Sequence, residues 1–254
     1  MTRLVVLGTE IDAISFDEAI DRAFGESKHR RGAYVVTPNS EMLLAAREDG
    51  ALRDALHGAF LALPDGAGVV LVSRILGTPL PERIPGVDFA RALLARMGRE
   101  GGSLFLLGAA EGVADRAAKR IKKAYPALTL AGRHSGYFTA DEESALIEQI
   151  NAASPDLLIV CLGSPRQEHW MAQNASRLRV GLMAGLGGTL DLFAGRTRRA
   201  PRWMRALGLE WLFRLIGEPR RIVRVARIPQ LFWIAFQSRI GGREKDGKRK
   251  TDRA

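Results

Sequence analysis

From Ser103 onward, short apolar runs alternate with segments whose apolar residues recur at helical spacing. These runs predict strands at 103–107, 128–131, 157–162 and 180–184, and helices at 112–124, 141–152 and 166–175. Strands that alternate with amphipathic helices form a parallel sheet with helices on both faces. We therefore expect an α/β chain with a Rossmann-like parallel sheet, in which ligands bind beyond the carboxyl ends of the strands.

The N-terminal part of the chain shows a less regular version of the same pattern. It predicts strands at 3–7, 10–14, 33–37 and 60–63, helices at 16–29, 40–48, 50–58 and 69–76, and a proline-rich loop at 78–86. Ser15 with Glu18, and Thr139 with Glu142, have the spacing of a capping box, in which a hydroxyl and a carboxylate satisfy the first N–H groups of a helix. These pairs predict where two helices begin.

The net charge of +10 is concentrated at the C-terminal end. Residues 196–254 contain 17 of the 38 basic and 5 of the 28 acidic residues, a net charge of +12, whereas residues 1–195 carry −2. This asymmetry indicates a polyanionic partner, which could be nucleic acid, anionic lipid or a diphosphate substrate. We expect an α/β core over 1–195, a basic amphipathic appendage over 196–240 and a disordered charged tail over 241–254.

Apolar residues lie among the charges of the appendage. Trp203, Leu207, Trp211 and Leu215 recur every fourth residue, which predicts an apolar stripe on one helix, with arginines beside it. Such a helix is typical of a membrane interface, and the clustering of its apolar residues favours a membrane over a DNA-binding tail. No apolar run is close to the length of about 20 residues that a helix needs to span a bilayer. The single cysteine, Cys161, lies in an apolar run, which predicts a buried structural thiol and a reducing compartment.

Polar or glycine-rich residues follow the predicted strands. Asp65 lies in a Pro-Asp-Gly sequence. It is either a residue that favours a β-turn or a carboxylate that accepts a proton from a sugar hydroxyl. The glycine-containing segment 108–112 opens a helix after a strand, a position that suits a nucleotide phosphate. The segment 163–168 also follows a strand, and its Arg166 could meet phosphate. Close strand–helix packing explains the first equally well, and a capped helix start explains the second. In the second segment, Gln167 and Glu168 also offer hydrogen bonds to a sugar or a base.

The sequence indicates neither a metal nor a redox cofactor. The four histidines are scattered, and no Asp-x-Asp pair is present to hold a cation against a nucleotide diphosphate, so we expect a metal-free mechanism. A nucleotide-binding oxidoreductase would show a GxGxxG fingerprint and a ribose-binding acid, and neither is evident. A basic membrane- or nucleic-acid-binding protein without catalysis stays open on these observations.

Several motifs together resemble the WecG/TagA/CpsF family of bacterial glycosyltransferases. They run in the family's order along residues 5–225, and the C-terminal block is the most specific of them. The motifs are Thr37-Pro-Asn39, Pro64-Asp-Gly66, Arg83-Ile-Pro-Gly86 with Asp88, Gly136-Tyr-Phe138, Gly163-Ser-Pro-Arg-Gln-Glu168, Gly187-Gly188, Asp191, Arg199-Ala-Pro201, Gly208-Leu-Glu-Trp211, Arg214 and Glu218-Pro-Arg-Arg221.

The resemblance implies an inverting, metal-independent sugar transfer from a UDP-sugar to an undecaprenyl-diphosphate-linked sugar, in the assembly of cell-surface polysaccharide or teichoic acid. The best-known members transfer N-acetylmannosamine. Others use UDP-glucose or UDP-N-acetylmannosaminuronate in capsule and exopolysaccharide synthesis, so the identity of the donor stays open. Whether the chain forms a homo-oligomer also stays open. The implied location is cytoplasmic, peripheral on the inner face of the cell membrane, with an anionic membrane surface as partner and no nucleic acid.

The resemblance also assigns roles to residues of this chain. The implied catalytic residues are Asp65, which accepts the proton of the acceptor hydroxyl, with Thr37 and Asn39. The implied substrate-binding residues are Arg83, Asp88, Gly108, Gly136, Tyr137, Gly163, Gln167, Gly187, Asp191, Arg214, Arg221 and Arg224. No cofactor and no metal ligand are expected.

Overall fold

A computed structural model of the chain describes residues 2–29, 32–217, 222 and 226–251, and at Ala206, Arg214 and from 241 onward it describes the backbone alone. The strands are β1 (Arg3–Val6), β2 (Thr9–Asp12), β3 (Ala33–Val36), β4 (Leu61–Ala62), β5 (Ser103–Gly108), β6 (Thr129–His134), β7 (Leu157–Cys161) and β8 (Leu182–Gly185). The last six form one sheet in the order β4-β3-β8-β7-β5-β6, with every neighbouring pair parallel. The expected parallel sheet of an α/β protein is confirmed.

Helices cover both faces of this sheet. They are α1 (Phe16–Glu26), α2 (Ser40–Glu48), α3 (Gly50–His57), α4 (Ala67–Leu76), α5 (Gly86–Glu100), α6 (Val113–Ala124), α7 (Ala140–Ala153), α8 (Arg166–Asn174) and α9 (Thr189–Phe193). Alternate residues of a strand point to opposite sides. On β5, Leu104 and Leu106 therefore pack with α1, α5, α6 and α9, whereas Phe105 and Leu107 pack with α2, α3, α7 and α8.

The capping signatures read from the sequence mark real helix starts. The Ser15 hydroxyl accepts a hydrogen bond from the Glu18 N–H at 3.2 Å, directly before α1. At α7 both halves of the capping box are formed: the Thr139 hydroxyl accepts from the Glu142 N–H, and the Glu142 carboxylate accepts from the Thr139 N–H at 2.7 Å. Helix α5 is the one long core element for which the sequence analysis made no prediction.

The N-terminal hairpin protects an edge of the parallel sheet. Strands β1 and β2 pair antiparallel, and the buried Asp12 accepts from Arg3 Nε at 3.0 Å and from the Ala62 N–H of β4 at 2.7 Å. Burial is the main reason that the pKa of Asp12 is raised, against the opposing effect of these hydrogen bonds. The hairpin is thereby fastened beside β4, which would otherwise be an exposed edge strand.

In the described part of the chain, the helices that follow the core are α10 (Arg202–Ala206), α11 (Glu210–Gly217) and α12 (Ile228–Thr251). The expectation of one amphipathic helix through Trp203 and Leu215 is wrong. The chain turns between α10 and α11, where Gly208 has a left-handed φ of +73°, so the fourfold repeat does not form one continuous stripe. The apolar side chains are nonetheless outward: Trp203 is 61% and Leu207 68% exposed.

Helix α12 packs against α4 and the hairpin. Its Leu231 and Ala235 are buried in a third cluster with Val6, Val69 and Val72. Within the described residues, no helix combines the length and the apolar character needed to cross a membrane. The backbone of α12 is helical to Thr251, and this helix includes residues 241–251 of the stretch 241–254 where we expected a disordered tail. The division of the chain into core, appendage and tail stays a prediction.

Candidate functional site

The loops after the parallel strands lie along one edge of the sheet, because parallel strands all end on the same side. Predicted site residues follow or end each strand: Thr37 and Asn39 at β3, Asp65 at β4, Gly108 at β5, Gly136 and Tyr137 at β6, Gly163 and Gln167 at β7, and Gly187 and Asp191 at β8. The sheet order puts the loops after β4, β3, β8 and β7 side by side. The fold therefore brings most of the predicted residues to a common edge.

Asp65 is anchored by the backbone around it. Its N–H donates to the carbonyl oxygen of Pro38 at 2.9 Å, and the carbonyl oxygen of Pro64 accepts from the Ile84 N–H at 2.8 Å. The Asp65 side chain is half-buried. The first bond ties the loop after β4 to the loop after β3, and the two together hold the backbone of Asp65 at the edge of the sheet.

Thr37 and Asn39 both have partners inside the protein. The buried Thr37 hydroxyl donates to the carbonyl oxygen of Gly185 at 3.3 Å, which ties β3 to β8. The Asn39 side-chain oxygen accepts from the N–H groups of Glu41 at 2.9 Å and Met42 at 3.1 Å and thus caps α2. A contact between Asn39 and a ligand would therefore have to come from the amide nitrogen of Asn39. The catalytic roles of Thr37 and Asn39 stay predictions.

The glycines of the edge fall into two groups. At Gly66, Gly163 and Gly187 the backbone has a left-handed φ of +100°, +81° and +51°, and an added Cβ would find no atom of the described residues within 4 Å. At Gly108 an added Cβ would lie 2.3 Å from the carbonyl oxygen of Cys161, and at Gly136 it would lie 3.1 Å from the Cα of Gly108. The first group leaves bare backbone beside open space, where a ligand can approach closely. The second group is required by packing between neighbouring backbone segments.

Gln167 connects two loops of the edge. Its side-chain oxygen accepts from the Gly187 N–H at 3.0 Å, and its amide nitrogen donates to Glu168 Oε1 at 2.7 Å. Glu168 is fully buried, and burial raises the pKa of its carboxyl group. We expected Gln167 and Glu168 to offer hydrogen bonds to a sugar or a base, but both side chains are buried and bonded to each other. The geometry gives Gln167 a bracing role, and its contact with substrate stays a prediction.

Beside this edge, a cleft of about 470 Å³ lies between the beginnings of α7 and α8. Phe138 and Arg166 line it, and the Arg166 guanidinium lies 4.9 Å from the centre of the Phe138 ring. Arg166 also donates to the carbonyl oxygen of Gly136 at 3.0 Å, so it holds the loop after β6. Tyr137 in that loop is 77% exposed, which leaves its ring available for a planar ligand.

Arg83 and Asp88 face the appendage. Arg83 Nη2 donates to the carbonyl oxygen of Arg205 at 3.4 Å. The Asp88 carboxylate accepts two hydrogen bonds from the Arg199 guanidinium, and these bonds are the main reason that the pKa of Asp88 is lowered. Arg199 lies within one of the family motifs, and the motif alone assigns it no role. A pair separated by 111 residues leaves no local signature in the sequence.

Asp191 lies in α9, directly after the loop that follows β8, and its carbonyl oxygen accepts from the N–H groups of Arg196 at 2.9 Å and Thr197 at 3.3 Å. Its side chain lies 3.6 Å from Arg196 Nη1. Cys161 lies next to the start of α9, and burial raises the pKa of its thiol to about 12. The prediction of a buried thiol is confirmed. A thiol with this pKa carries almost no thiolate at neutral pH.

Three of the predicted arginines lie outside the described side chains. Arg221 and Arg224 are not among the described residues, and for Arg214 the structure gives only a backbone position within α11. Their predicted contact with phosphate therefore stays a prediction. Across the part of the chain that is described, no group of three or more His, Cys, Asp or Glu side chains is placed to hold a metal ion.

A parallel sheet with helices on both faces and bare glycine backbone at the carboxyl ends of its strands is typical of α/β proteins of the Rossmann-like class. Comparison with known sequences identifies the particular family. The profile of the glycosyl transferase WecG/TagA/CpsF family matches residues 4–245, and the chain belongs to this family of enzymes.

Individual relatives support the family assignment. The chain is 36% identical over 200 residues to a protein of Bacillus spizizenii, a match that covers 79% of this chain and 77% of the relative. It is 35% identical to a protein of Bacillus subtilis, over 85% of this chain and 83% of the relative, and 30% identical to a protein of Staphylococcus aureus, over 88% of each. All three relatives are named N-acetylglucosaminyldiphosphoundecaprenol N-acetyl-beta-D-mannosaminyltransferase.

Proposed function

We propose that this glycosyltransferase moves N-acetylmannosamine from its UDP-sugar to N-acetylglucosaminyl-diphosphate-undecaprenol. The observation that carries the proposal is the similarity, over 79% to 88% of the chain, to relatives whose names state this transfer. The arrangement of the carboxyl edge supports it, because a half-buried carboxylate lies along the same edge as three loops with bare glycine backbone.

In the proposed reaction Asp65 is the general base. Its carboxylate accepts the proton of the acceptor hydroxyl, O4 of the N-acetylglucosamine, as that oxygen forms a bond to the anomeric carbon of the donor. The bond between the anomeric carbon and the UDP oxygen breaks, and UDP leaves with the electron pair. Attack on the face opposite the leaving group inverts the anomeric configuration. The turn at Pro64-Asp65-Gly66 is compatible with this role, because backbone hydrogen bonds hold it at the rim of the sheet.

The negative charge that develops on UDP needs donors. The loops at Gly66, Gly163 and Gly187 have backbone that no Cβ shields, and N–H groups of such loops can approach phosphate oxygens. Arginine side chains of the appendage are the second proposed source of positive charge, with Arg214, Arg221 and Arg224 as candidates. Together these groups would take the place of a divalent cation, and we propose a metal-independent transfer. Full turnover in excess EDTA would support this, and activity that returns only when Mg²⁺ or Mn²⁺ is added would contradict it.

The lipid-linked acceptor requires the enzyme to work at a membrane. Trp203, Leu207, Trp211 and Ile216 are 61%, 68%, 44% and 70% exposed, on a stretch that begins the region with a net charge of +12. Exposed aromatic and aliphatic side chains next to basic residues suit the interface of an anionic bilayer. We propose that the appendage holds the protein on the inner face of the cell membrane as a peripheral protein.

The decisive test is an assay of UDP release with a lipid-diphosphate acceptor, over a panel of UDP-sugars. We expect release that depends on both N-acetylglucosaminyl-diphosphate-lipid and UDP-N-acetylmannosamine, with the Asp65→Asn variant as the matched control. Release with UDP-glucose or UDP-N-acetylmannosaminuronate instead would assign the chain to a different donor. No acceptor-dependent release with any of these donors would refute the proposed function.

A further inference from the structure

One buried guanidinium fastens the appendage to the core. The Arg199 side chain is 10% exposed, and its two terminal nitrogens donate to the two oxygens of Asp88, one of them at 2.6 Å. Its Nε lies 3.5 Å from an oxygen of Glu210, whose side chain is 14% exposed. Asp88 lies in the first turn of α5 and Glu210 is the first residue of α11. A single side chain therefore joins a core helix to a helix of the appendage.

The contact between Arg199 and Asp88 is a strong type of ion pair. Two parallel N–H···O bonds between a guanidinium and a carboxylate fix geometry as well as charge. These bonds are the largest cause of the lowered pKa of Asp88, so the carboxylate stays ionised at neutral pH. Removing the arginine would take the guanidinium away from both oxygens of the partly buried Asp88 carboxylate, which is far more damaging than losing an exposed ion pair. The pair between Arg96 and Asp21 is such an exposed pair, since the Asp21 side chain is 68% exposed.

Two further contacts place the fastened segment beside the proposed base. Arg83 donates to the carbonyl oxygen of Arg205 at the end of α10. A Cβ added to Gly208, in the turn between α10 and α11, would lie 2.9 Å from the Cβ of Ala67. Ala67 is two residues beyond Asp65 in the chain. The turn between α10 and α11 thus lies against the first residue of α4, close to the loop that carries Asp65.

We infer that Arg199 is a positioning residue for the transfer reaction: it joins Asp88 of α5 to Glu210 of α11 and so holds the α10–α11 turn beside the Asp65 loop. The inference rests on the proposed role of Asp65. Arg199 acts through the placement of the appendage, without touching the reacting atoms. Asp88 belongs to the same fastening, because both of its oxygens are taken by Arg199. This geometry favours docking of the appendage over a direct contact of Asp88 with substrate.

The test compares Arg199→Ala, Arg199→Lys, Asp88→Ala and the double variant Asp88→Ala/Arg199→Ala, with Arg198→Ala as control. Arg198 is the exposed neighbour of Arg199. Two quantities are measured: kcat and KM on a soluble short-chain acceptor, and backbone hydrogen exchange of peptides from α10 and α11. Exchange of β5 and β7 peptides reports whether the core of each variant is folded.

For Arg199→Ala we expect kcat to fall at least about tenfold and exchange in α10 and α11 to rise, with β5 and β7 unchanged. For Arg199→Lys, both kcat and the exchange of α10 and α11 should lie between the values of Arg199→Ala and the wild type, because an ammonium cannot bind both carboxylate oxygens in the bidentate way. The double variant should be no worse than Arg199→Ala, since both changes remove one shared interaction. Arg198→Ala should match the wild type in both measurements.

Normal kcat in Arg199→Ala, or unchanged exchange in α10 and α11, would overturn the inference. So would losses that add in the double variant, because additivity means that Asp88 and Arg199 act separately. If the wild-type chain transfers no sugar from any donor, the proposed function fails, and hydrogen exchange alone then decides whether Arg199 fastens the appendage.

Discussion

The sheet core and the appendage are stabilised in different ways. In the core, all five residues of β7 are buried, and apolar side chains from helices cover them on both faces. In the appendage, helices α10 and α11 turn large apolar side chains outward, with Ile216 70% exposed, although Met204 of α10 is buried. Polar contacts of Arg83 and Asp88 with the appendage join it to the core. Burial of apolar surface therefore suffices to explain the core, whereas the exposed apolar surface of the appendage indicates a partner.

The charge follows the same division. Residues 1–195 carry −2 and residues 196–254 carry +12. This contrast teaches that chemistry and attachment can be assigned to different parts of one chain: the proposed base lies at the edge of the sheet, and the proposed membrane contact lies on the appendage. The arginines proposed to bind phosphate are the exception, because they would make the appendage part of the active site. The predictions below test where this division holds.

The largest effect is expected at Asp65, where the chemistry is assigned to the core. Asp65→Asn should keep UDP binding and lower kcat by about 10²-fold or more, because an amide cannot accept the proton of the acceptor hydroxyl. Calorimetry with UDP and turnover on a soluble acceptor measure the two quantities. Asp54→Asn, whose parent side chain is 81% exposed on α3, is the control and should turn over normally. Near-normal turnover of Asp65→Asn would remove this residue from the mechanism.

A smaller loss is expected from the appendage arginines. Arg214→Ala and Arg221→Ala should each lower kcat on a soluble acceptor by about tenfold or more, the usual consequence of losing a charge-assisted hydrogen bond to phosphate. Arg227→Ala, which removes a partly exposed partner of Glu48, is the control and should leave turnover unchanged. If both arginine variants turn over the soluble acceptor normally, the appendage is an anchor alone and the division between chemistry and attachment is complete.

The tail should affect binding to membranes and leave the chemistry intact. Six lysines and arginines lie between Arg243 and Arg253. Their replacement by glutamine should weaken binding to anionic vesicles, by about 1 kcal/mol for each residue near the surface, and more visibly at low salt. Arg239 is kept, because its guanidinium donates to the carbonyl oxygen of Ile75 at 2.7 Å. Vesicle sedimentation measures the binding, and the soluble acceptor should be turned over normally.

The control for this prediction changes charge in the core. Lys119→Gln/Lys123→Gln alters two exposed lysines of α6 and should leave vesicle binding close to that of the wild type. Equal weakening by the tail and the α6 variants would show that net charge, and not the tail, attracts the protein to the membrane.

The smallest effect concerns the buried carboxyl group of Glu168. Burial raises its pKa in the folded protein, so the folded state keeps a proton that the unfolded chain loses, and stability falls as pH rises through the folded pKa. Glu168→Gln is neutral at every pH, and its side-chain oxygen still accepts from Gln167. The variant should therefore melt higher than the wild type at pH 8, with a smaller difference at pH 5. Thermal melting of the variant and the wild type at pH 8 and pH 5 measures this difference, and Glu148→Gln, at an exposed position, is the control. An equal difference in melting temperature at the two pH values would contradict the prediction.

Much of the core and the edge of the site follow from the sequence. Runs such as Leu157–Cys161 are continuous and apolar because their strands are buried on both faces, and this pattern identifies a parallel sheet. Once the strands are parallel, their carboxyl ends share an edge, so residues that follow them are predicted to lie together. Asp65, Gly163 and Gln167 are therefore predicted at the carboxyl edge of the sheet without any knowledge of strand order, and the structure has them at that edge.

Other features have no local signal. Helix α5 begins after Pro85 without a side-chain cap, so the residues that usually announce a helix start are absent there. The repeat from Trp203 to Leu215 has helical spacing, but the left-handed Gly208 breaks the helix, because periodicity does not record a turn. The pair of Asp88 and Arg199 depends on the folding of 111 intervening residues and can be seen only in three dimensions.

Strand β8 is the last of the six sheet strands to leave the ribosome, yet it lies between β3 and β7. During synthesis the pair β3–β4 and the group β5–β6–β7 can form separately, but until residue 185 has emerged neither can join the other. Each nascent half exposes an apolar strand edge in that interval, which makes it a target for chaperones and for aggregation. The loops with Asp65 and Gly163 belong to opposite halves, so the site comes together only when this central strand is inserted.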